Sequence, residues 1–260
     1  ERLECDWGSS DFSDAFEAIE ELGDLIEHPP SVIALRFDEP PVGTSLPRLW
    51  RDCVALLEER AFTGAVDVEV QSERVASHFV RYLPEALRPR RSYHFGGVEL
   101  ILTVGDIAFA SADALVNASN VRLELGGGVS HALRERFGAN LQRQMNAAAR
   151  GMIEDGQGVI TTHPEETGAR AIYHVASANG SPVVIRQCID TVLGFARQRG
   201  DAHVVMPLLG TGTGGLEVTT FATLLRECCA ATTEPLVLEV WCWTQDDFDV
   251  MRDVLGDEEK

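Results

Sequence analysis

Lysine is almost missing from this chain: of 260 residues only Lys260 is one, so nearly all positive charge is arginine. Acidic residues outnumber basic ones 41 to 22, for a formal net charge of −19. A surface of that sign argues against nonspecific binding to nucleic acid or to anionic membrane. It also opposes an anionic ligand at long range, so a site for one must work through short-range donors. No C-x-x-C pair occurs among the six cysteines, at 5, 53, 188, 228, 229 and 242, and no histidine stands beside a cysteine pair at zinc-ligand spacing. Plain thiols in a reducing, cytoplasmic setting are expected, with no metal and no cofactor. Neither a signal peptide nor an apolar run long enough to span a bilayer is read, so no membrane association is expected.

What is present is glycine in particular places. The apolar run Ala114-Leu115-Val116 reads as the end of a buried strand. Asn117-Ala118-Ser119-Asn120 and Val121-Arg122-Leu123-Glu124-Leu125 follow, then Gly126-Gly127-Gly128-Val129, then a helix opening at Ser130-His131. Glycines let backbone N–H groups approach an anion with no Cβ in the way. A helix start adds unfilled donors and the positive end of a dipole, and asparagine amides suit ribose hydroxyls. A second such unit lies downstream. His203-Val204-Val205-Met206-Pro207-Leu208-Leu209 reads as a buried strand, Gly210-Thr211-Gly212-Thr213-Gly214-Gly215 follows it, and Val218 to Cys229 reads as a helix. Two loops of this kind would clamp a diphosphate outside the carboxyl ends of the strands of an α/β sheet.

From about Gly96 onward the chain resembles the macrodomain family of ADP-ribose-binding α/β/α modules. Val104-Gly105-Asp106-Ile107 is similar to the family's G-D-I segment, and Val116 to Asn120 to its V-N-A-x-N segment. Gly126 to Val129 resembles its G-G-G-V loop, Gly158 to Ala176 with Tyr173-His174-Val175 its central strand, and Pro207 to Gly215 its P-x-L-G-T-G-x-x-G loop. The resemblance implies a three-layer α/β/α macrodomain with a central mixed sheet over residues 91–260. It implies ADP-ribose or an ADP-ribosylated protein as partner, with hydrolysis of mono-ADP-ribose from modified side chains. The alternative is a non-catalytic ADP-ribose reader or interaction module.

It also implies roles. Asp106 would accept from the adenine amino group, or else simply cap the next helix. Ile107 would offer its N–H to the same ring. Trp243 would stack on adenine, or else be a core residue sharing a face with Trp241. Asn117 would brace the first loop. Asn120 would contact the distal ribose and position a water as the catalytic residue, or else support a turn. Gly126, Gly127, Gly128 and Val129 would form one clamp, and Leu209, Gly210, Thr211, Gly212, Thr213, Gly214 and Gly215 the other, with hydroxyls from Thr211 and Thr213.

The chain departs from the family at two places. Gly214 stands where many members have an aromatic residue. Ser130 and His131 stand where some hydrolytic members have an Asp, and Ser130 cannot serve as a base. His131 is expected to be exposed, His163 likewise, and His174 to be a hydrogen-bonded core histidine.

Residues 1–90 fall outside the resemblance. Helices are expected over Phe12 to Ile26, Leu49 to Ala61 and Glu73 to Leu83, and strands over Ser31 to Phe37 and Ala65 to Val70, with a linker marked by Pro84 and Pro89. This is a small α/β domain of unknown role. Its element order faintly echoes His203 to Leu255, as a decayed half macrodomain would, but any two α/β units share that order. Downstream, strands are expected near 98–104, 114–117, 159–162, 171–176, 203–208 and 236–242. Helices are expected near 108–112, 129–149, 182–199, 218–229 and 245–255.

Overall fold

A computed structural model describes residues 2–7, 32–37, 65–70, 80–82, 88–138, 140–163 and 168–256. The chain divides into two compact units, Glu1–Arg88 and Pro89–Lys260.

In the first unit, β1 (Arg2–Trp7), β2 (Val32–Phe37) and β3 (Ala65–Val70) form a three-stranded parallel sheet in that order. Strand β1 was not anticipated. The helices expected over Phe12 to Ile26 and Leu49 to Ala61 lie outside the described residues. Of the one expected over Glu73 to Leu83, only Val80–Tyr82 is described, as a single 3-10 turn.

The second unit is built on a seven-stranded sheet. Its strands are β4 (Arg90–Phe95), β5 (Val98–Val104), β6 (Ala112–Ser119), β7 (Gly158–Thr162), β8 (Ala169–Ala176), β9 (His203–Pro207) and β10 (Leu236–Cys242). They lie in the order β4-β5-β10-β9-β6-β8-β7. The five inner strands are mutually parallel, and β4 and β7 pair antiparallel at the two edges. Five helices cover it: α1 (Gly128–Phe137), α2 (Leu141–Ala149), α3 (Pro182–Arg199), α4 (Val218–Ala231) and α5 (Gln245–Leu255).

The inner strands are apolar on both sides because both sides are covered. On one face Leu115, Ile172, Val205 and Trp241 pack with Leu133 of α1 and with Leu141 and Met145 of α2. On the other face Tyr173 meets Phe195 of α3 edge-on, and α4 and α5 lie over β5. Helix α3 starts at Ser181, whose hydroxyl accepts from Val184 N, and stops at Gly200 with φ 70°. Thr244 likewise caps α5 by accepting from Asp247 N.

Three expectations need correction. The segment after Pro89 is edge strand β4 rather than a linker. The helix expected at 108–112 is one 3-10 turn, Ile107–Phe109, because Ala112 already pairs with Ala169 in the sheet. The helix expected over 129–149 breaks in two at Gly138, whose φ of 83° ends α1.

Among the described residues, Cys188, Cys228, Cys229 and Cys242 are free and buried, and burial pushes the first three up to about 12, so they are unreactive thiols. No helix among those residues is long and apolar enough to cross a membrane.

Candidate functional site

The inner strands all end on one edge of the sheet, and the candidate residues other than Asn117 lie at or beyond those ends. Beyond β5 come Gly105 and Asp106, beyond β10 comes Trp243, and beyond β6 and β9 come the two glycine loops. Strands β6 and β9 are neighbours, but the chain leaves them in opposite directions. From β6 it passes to α1 on one face, and from β9 to α4 on the other. Adjacent parallel strands whose connections part in this way leave a crevice at their carboxyl ends, the place where α/β sheets bind ligands.

The first loop is moored at its middle. Leu123 and Leu125 are buried in the core, and Leu123 takes the left-handed φ of 56°. Gln142 of α2 reaches over to accept from Leu125 N at 2.9 Å and donate to Leu123 O at 2.7 Å. Asn120 Oδ1 accepts from the backbone of Arg122 at 2.9 Å and Glu124 at 3.2 Å, and its Nδ2 faces Glu124 Oε2 at 3.5 Å. The amide oxygen is therefore engaged within the loop, and the amide nitrogen is what Asn120 can present outward. Past that point Gly126, Gly127 and Gly128 are exposed, and a Cβ built on any of them would meet nothing within 4 Å. Gly127 is the N-cap of α1 and makes no side-chain cap bond, so the first-turn N–H groups of that helix are left without a side-chain acceptor. Val129 is half-buried behind them.

In the second loop Leu209 is buried and acts as an anchor, so only its backbone is available to a ligand. Thr211 donates its hydroxyl to Leu208 O at 3.1 Å, which engages the proton expected for phosphate. Gly212, Thr213 and Gly215 are exposed.

At the β5 end, Asp106 is buried and its Oδ1 accepts from Ala108 N at 3.0 Å, so the capping role is real. The Ile107 side chain belongs to the core, leaving its backbone N–H for a ligand. Trp241, not Trp243, is the core tryptophan. Its ring lies against Gly105, where a Cβ would come within 2.3 Å of it. Trp243 is 45% exposed, and the register Cys242↔Val104 sets it level with Gly105 and Asp106.

Asn117 does not line the crevice. It is fully buried, accepts from Ser130 Oγ at 2.8 Å and meets His174 Nδ1 at 3.0 Å. His131 is exposed and pairs with Glu135 at 3.4 Å. His163, expected to be exposed, is half-buried, with its ring centroid 4.8 Å from that of Phe137.

A family model for the macro domain matches residues 116–225. A macro domain-containing protein of Streptomyces griseus is 31% identical over 145 residues, which are 52% of this chain and 81% of that protein. The chain belongs to the macro domain family. An uncharacterized protein of Thermoplasma acidophilum is 31% identical over 134 residues, 48% of this chain and 68% of that protein. In fold, this macro domain is similar to the Oceanobacillus iheyensis macrodomain with ADP. That likeness has a TM-score of 0.59 at 19% identity and covers 65% of this chain and 95% of that one. It is also similar to the Trypanosoma brucei macrodomain in complex with ADP-ribose, with a TM-score of 0.53 at 22% identity, covering 60% and 69%.

The glycine at 214 has a structural reason in this macro domain. A Cβ there would lie 2.6 Å from Gly210 O and 2.8 Å from Gly180 N. Gly180, in the turn between β8 and α3, packs its backbone directly on the second loop, so no aromatic side chain fits without moving one of the two. Nothing in the local sequence marks Gly180, which precedes Ser181-Pro182 and reads as an ordinary turn glycine. A separate cavity of about 450 Å³ opens at the amino edge, lined by Asp190, Arg197, Asp201 and Glu234 among others. Neither glycine loop reaches it.

His174 ties the stability of the fold to pH. Burial first, and then the charge of His163, lower it from the usual 6.5 to about 3. The unfolded chain therefore binds a proton that the folded one refuses. Its contribution to stability is complete above about pH 6.5 and shrinks as pH falls toward 3. Thermal unfolding between pH 7 and 4 is expected to show a falling Tm, and His174→Gln to flatten that slope.

Proposed function

We propose that residues 91–260 act as a macro domain that binds ADP-ribose in the crevice, and that residues 1–90 form a separate small α/β domain. The carrying observation is the pair of glycine loops on neighbouring strands, leaving to opposite faces, with open space above the glycines of the first. Backbone donors suit a diphosphate on a chain of net charge −19, where a basic field is not available. Gly126 to Val129 and Leu209 to Gly215 hold the two phosphates. Asp106, the Ile107 N–H and Trp243 take the adenine. The Asn120 amide nitrogen takes the distal ribose, and Asn117 braces the loop from below. The similar macrodomains with ADP and with ADP-ribose support the ligand class.

Asp106→Ala tests the adenine end. It removes a helix cap as well as an acceptor, so affinity alone is ambiguous. The ratio of ADP to GDP affinity separates the two, because cap loss weakens both alike. We expect ADP binding to fall by about 1–3 kcal/mol, with the preference for adenine largely lost. An unchanged ratio contradicts the assignment.

Recognition is better supported than turnover, since Ser130 turns into the sheet and supplies no base. One observation favours slow hydrolysis: the Glu124 carboxylate lies 3.5 Å from the Asn120 amide nitrogen at the mouth of the first loop. Asn120 would place a water and Glu124 would accept its proton as the bond between ADP-ribose and a modified acidic side chain breaks. Single-turnover release, read by mass spectrometry, is expected to drop roughly tenfold or more in Asn120→Ala and in Glu124→Gln. His131→Ala should retain most of it. Firm ADP-ribose binding with no release from Asp-, Glu- or Ser-linked substrates leaves recognition of ADP-ribosylated protein as the function.

A further inference from the structure

A buried file of polar side chains runs from the first turn of α1 across three strands to the far edge of the sheet. Ser130 Oγ donates to Asn117 Oδ1 at 2.8 Å, and Asn117 Nδ2 meets His174 Nδ1 at 3.0 Å. His174 Nε2 meets Thr161 Oγ1 at 2.9 Å, and Thr161 Oγ1 meets His163 Nε2 at 2.9 Å. Asn117 and His174 are fully buried, and Ser130 and Thr161 are nearly so. Apolar side chains of similar volume would fill this space without having to satisfy buried polar atoms. The two ends of the file indicate what it does. One end is His163, half-buried against Phe137. The other is the third residue of α1, the helix that opens from the first glycine loop.

The file has one polarity. With the Asn117 oxygen toward Ser130 and its amide nitrogen toward His174, Nδ1 of that ring is an acceptor. His174 then carries its proton on Nε2 and donates to Thr161, whose own hydroxyl proton is left for His163 Nε2. Burial keeps His174 neutral, so this arrangement persists at neutral pH. At the helix, no side chain caps the first turn, and among its described side chains Ser130 is the one bonded to the sheet, its single hydroxyl proton directed to Asn117 Oδ1 at 2.8 Å and shared with Ala118 O at 3.1 Å.

We propose that this file positions the anion site through Ser130, fixing the first turn of α1, and with it the N–H groups of Gly127, Gly128 and Val129, relative to the sheet edge. The proposal rests on the assignment of those donors to the diphosphate. It makes Ser130 a positioning residue rather than a stand-in for a catalytic Asp.

The test uses the full chain, well below its unfolding temperature, with three ligands: ADP-ribose, ADP, and adenosine at millimolar concentration followed by NMR. Ser130→Ala should weaken ADP-ribose and ADP about tenfold each and leave adenosine within about twofold. Thr161→Val, nearly isosteric and on the far strand, should weaken the same two by a smaller factor, again sparing adenosine. Imidazole nitrogen NMR should show His174 protonated on Nε2 in the wild type and in Ser130→Ala. Equal loss of all three ligands, or no loss of any, overturns the proposal, as does His174 protonated on Nδ1. A wild type that binds none of the three overturns the ADP-ribose assignment itself, a separate outcome.

Discussion

Gly127→Glu and Gly212→Glu are each expected to abolish ADP-ribose binding while the protein stays folded. A Cβ at either position meets nothing within 4 Å, and Gly127 has an extended φ of −175° that any residue adopts. The fold therefore asks little of these two glycines. A glutamate at either place puts bulk and negative charge where a phosphate is proposed to lie, and two anions at contact distance in a partly desolvated crevice repel strongly. Affinity should fall at least about a hundredfold, with Tm within about 2 °C of the wild type, as for other exposed substitutions. A variant that folds and binds ADP-ribose as the wild type does would remove the clamp.

Gly180→Ala is expected to do the opposite in stability and the same in binding. Its Cβ would stand 2.2 Å from Gly214 O and 3.0 Å from Gly210 O, both backbone atoms of the second loop. Either the turn or the loop must move, which costs about 1–3 kcal/mol in a packed site. For a protein of this size that lowers Tm by several degrees. Displacing the second loop should also weaken ADP-ribose about tenfold or more, although Gly180 is given no ligand contact. Thermal unfolding and titration of Gly180→Ala beside Gly127→Ala give the comparison. Wild-type Tm and affinity in Gly180→Ala would mean that the contact between the turn and the loop is dispensable.

The contrast between these glycines is also the contrast between what could be read from the chain and what could not. Gly126 to Gly128 and Gly210 to Gly215 stand out because each run follows a buried strand and precedes a helix, which is local information. Gly180 matters only because β8 and β9 flank β6, so that their carboxyl-end turns meet in space. Gln142 was missed for the same reason: its bonds to Leu123 and Leu125 cross from one helix to a loop about five turns of chain earlier. Five of the six strands expected downstream of Gly96 are apolar runs covered on both faces, and β7 is an antiparallel edge strand. Strand β4 (Arg-Arg-Ser-Tyr-His-Phe) is an edge strand with several exposed residues, so its sequence lacks the apolar run that marks the inner strands and reads as a linker. Strand β1 alternates Leu3, Cys5 and Trp7 with charged residues, a period-two pattern over only six residues. For Asp106 the sequence allows an adenine acceptor or a cap, and its bond to Ala108 N makes the cap a fact without excluding the other. For Asn120 the sequence allows a ligand contact or a turn support, and its oxygen does support the loop, while its nitrogen, 3.5 Å from Glu124 Oε2, is the group proposed for the ribose.

The most direct test of the account is calorimetric titration of the wild-type chain with ADP-ribose, with ADP and GDP alongside. The account predicts one site per chain, adenine preferred over guanine, and no heat of binding in Gly127→Glu. Absence of any ADP-ribose binding by the folded wild type up to millimolar ligand would contradict it.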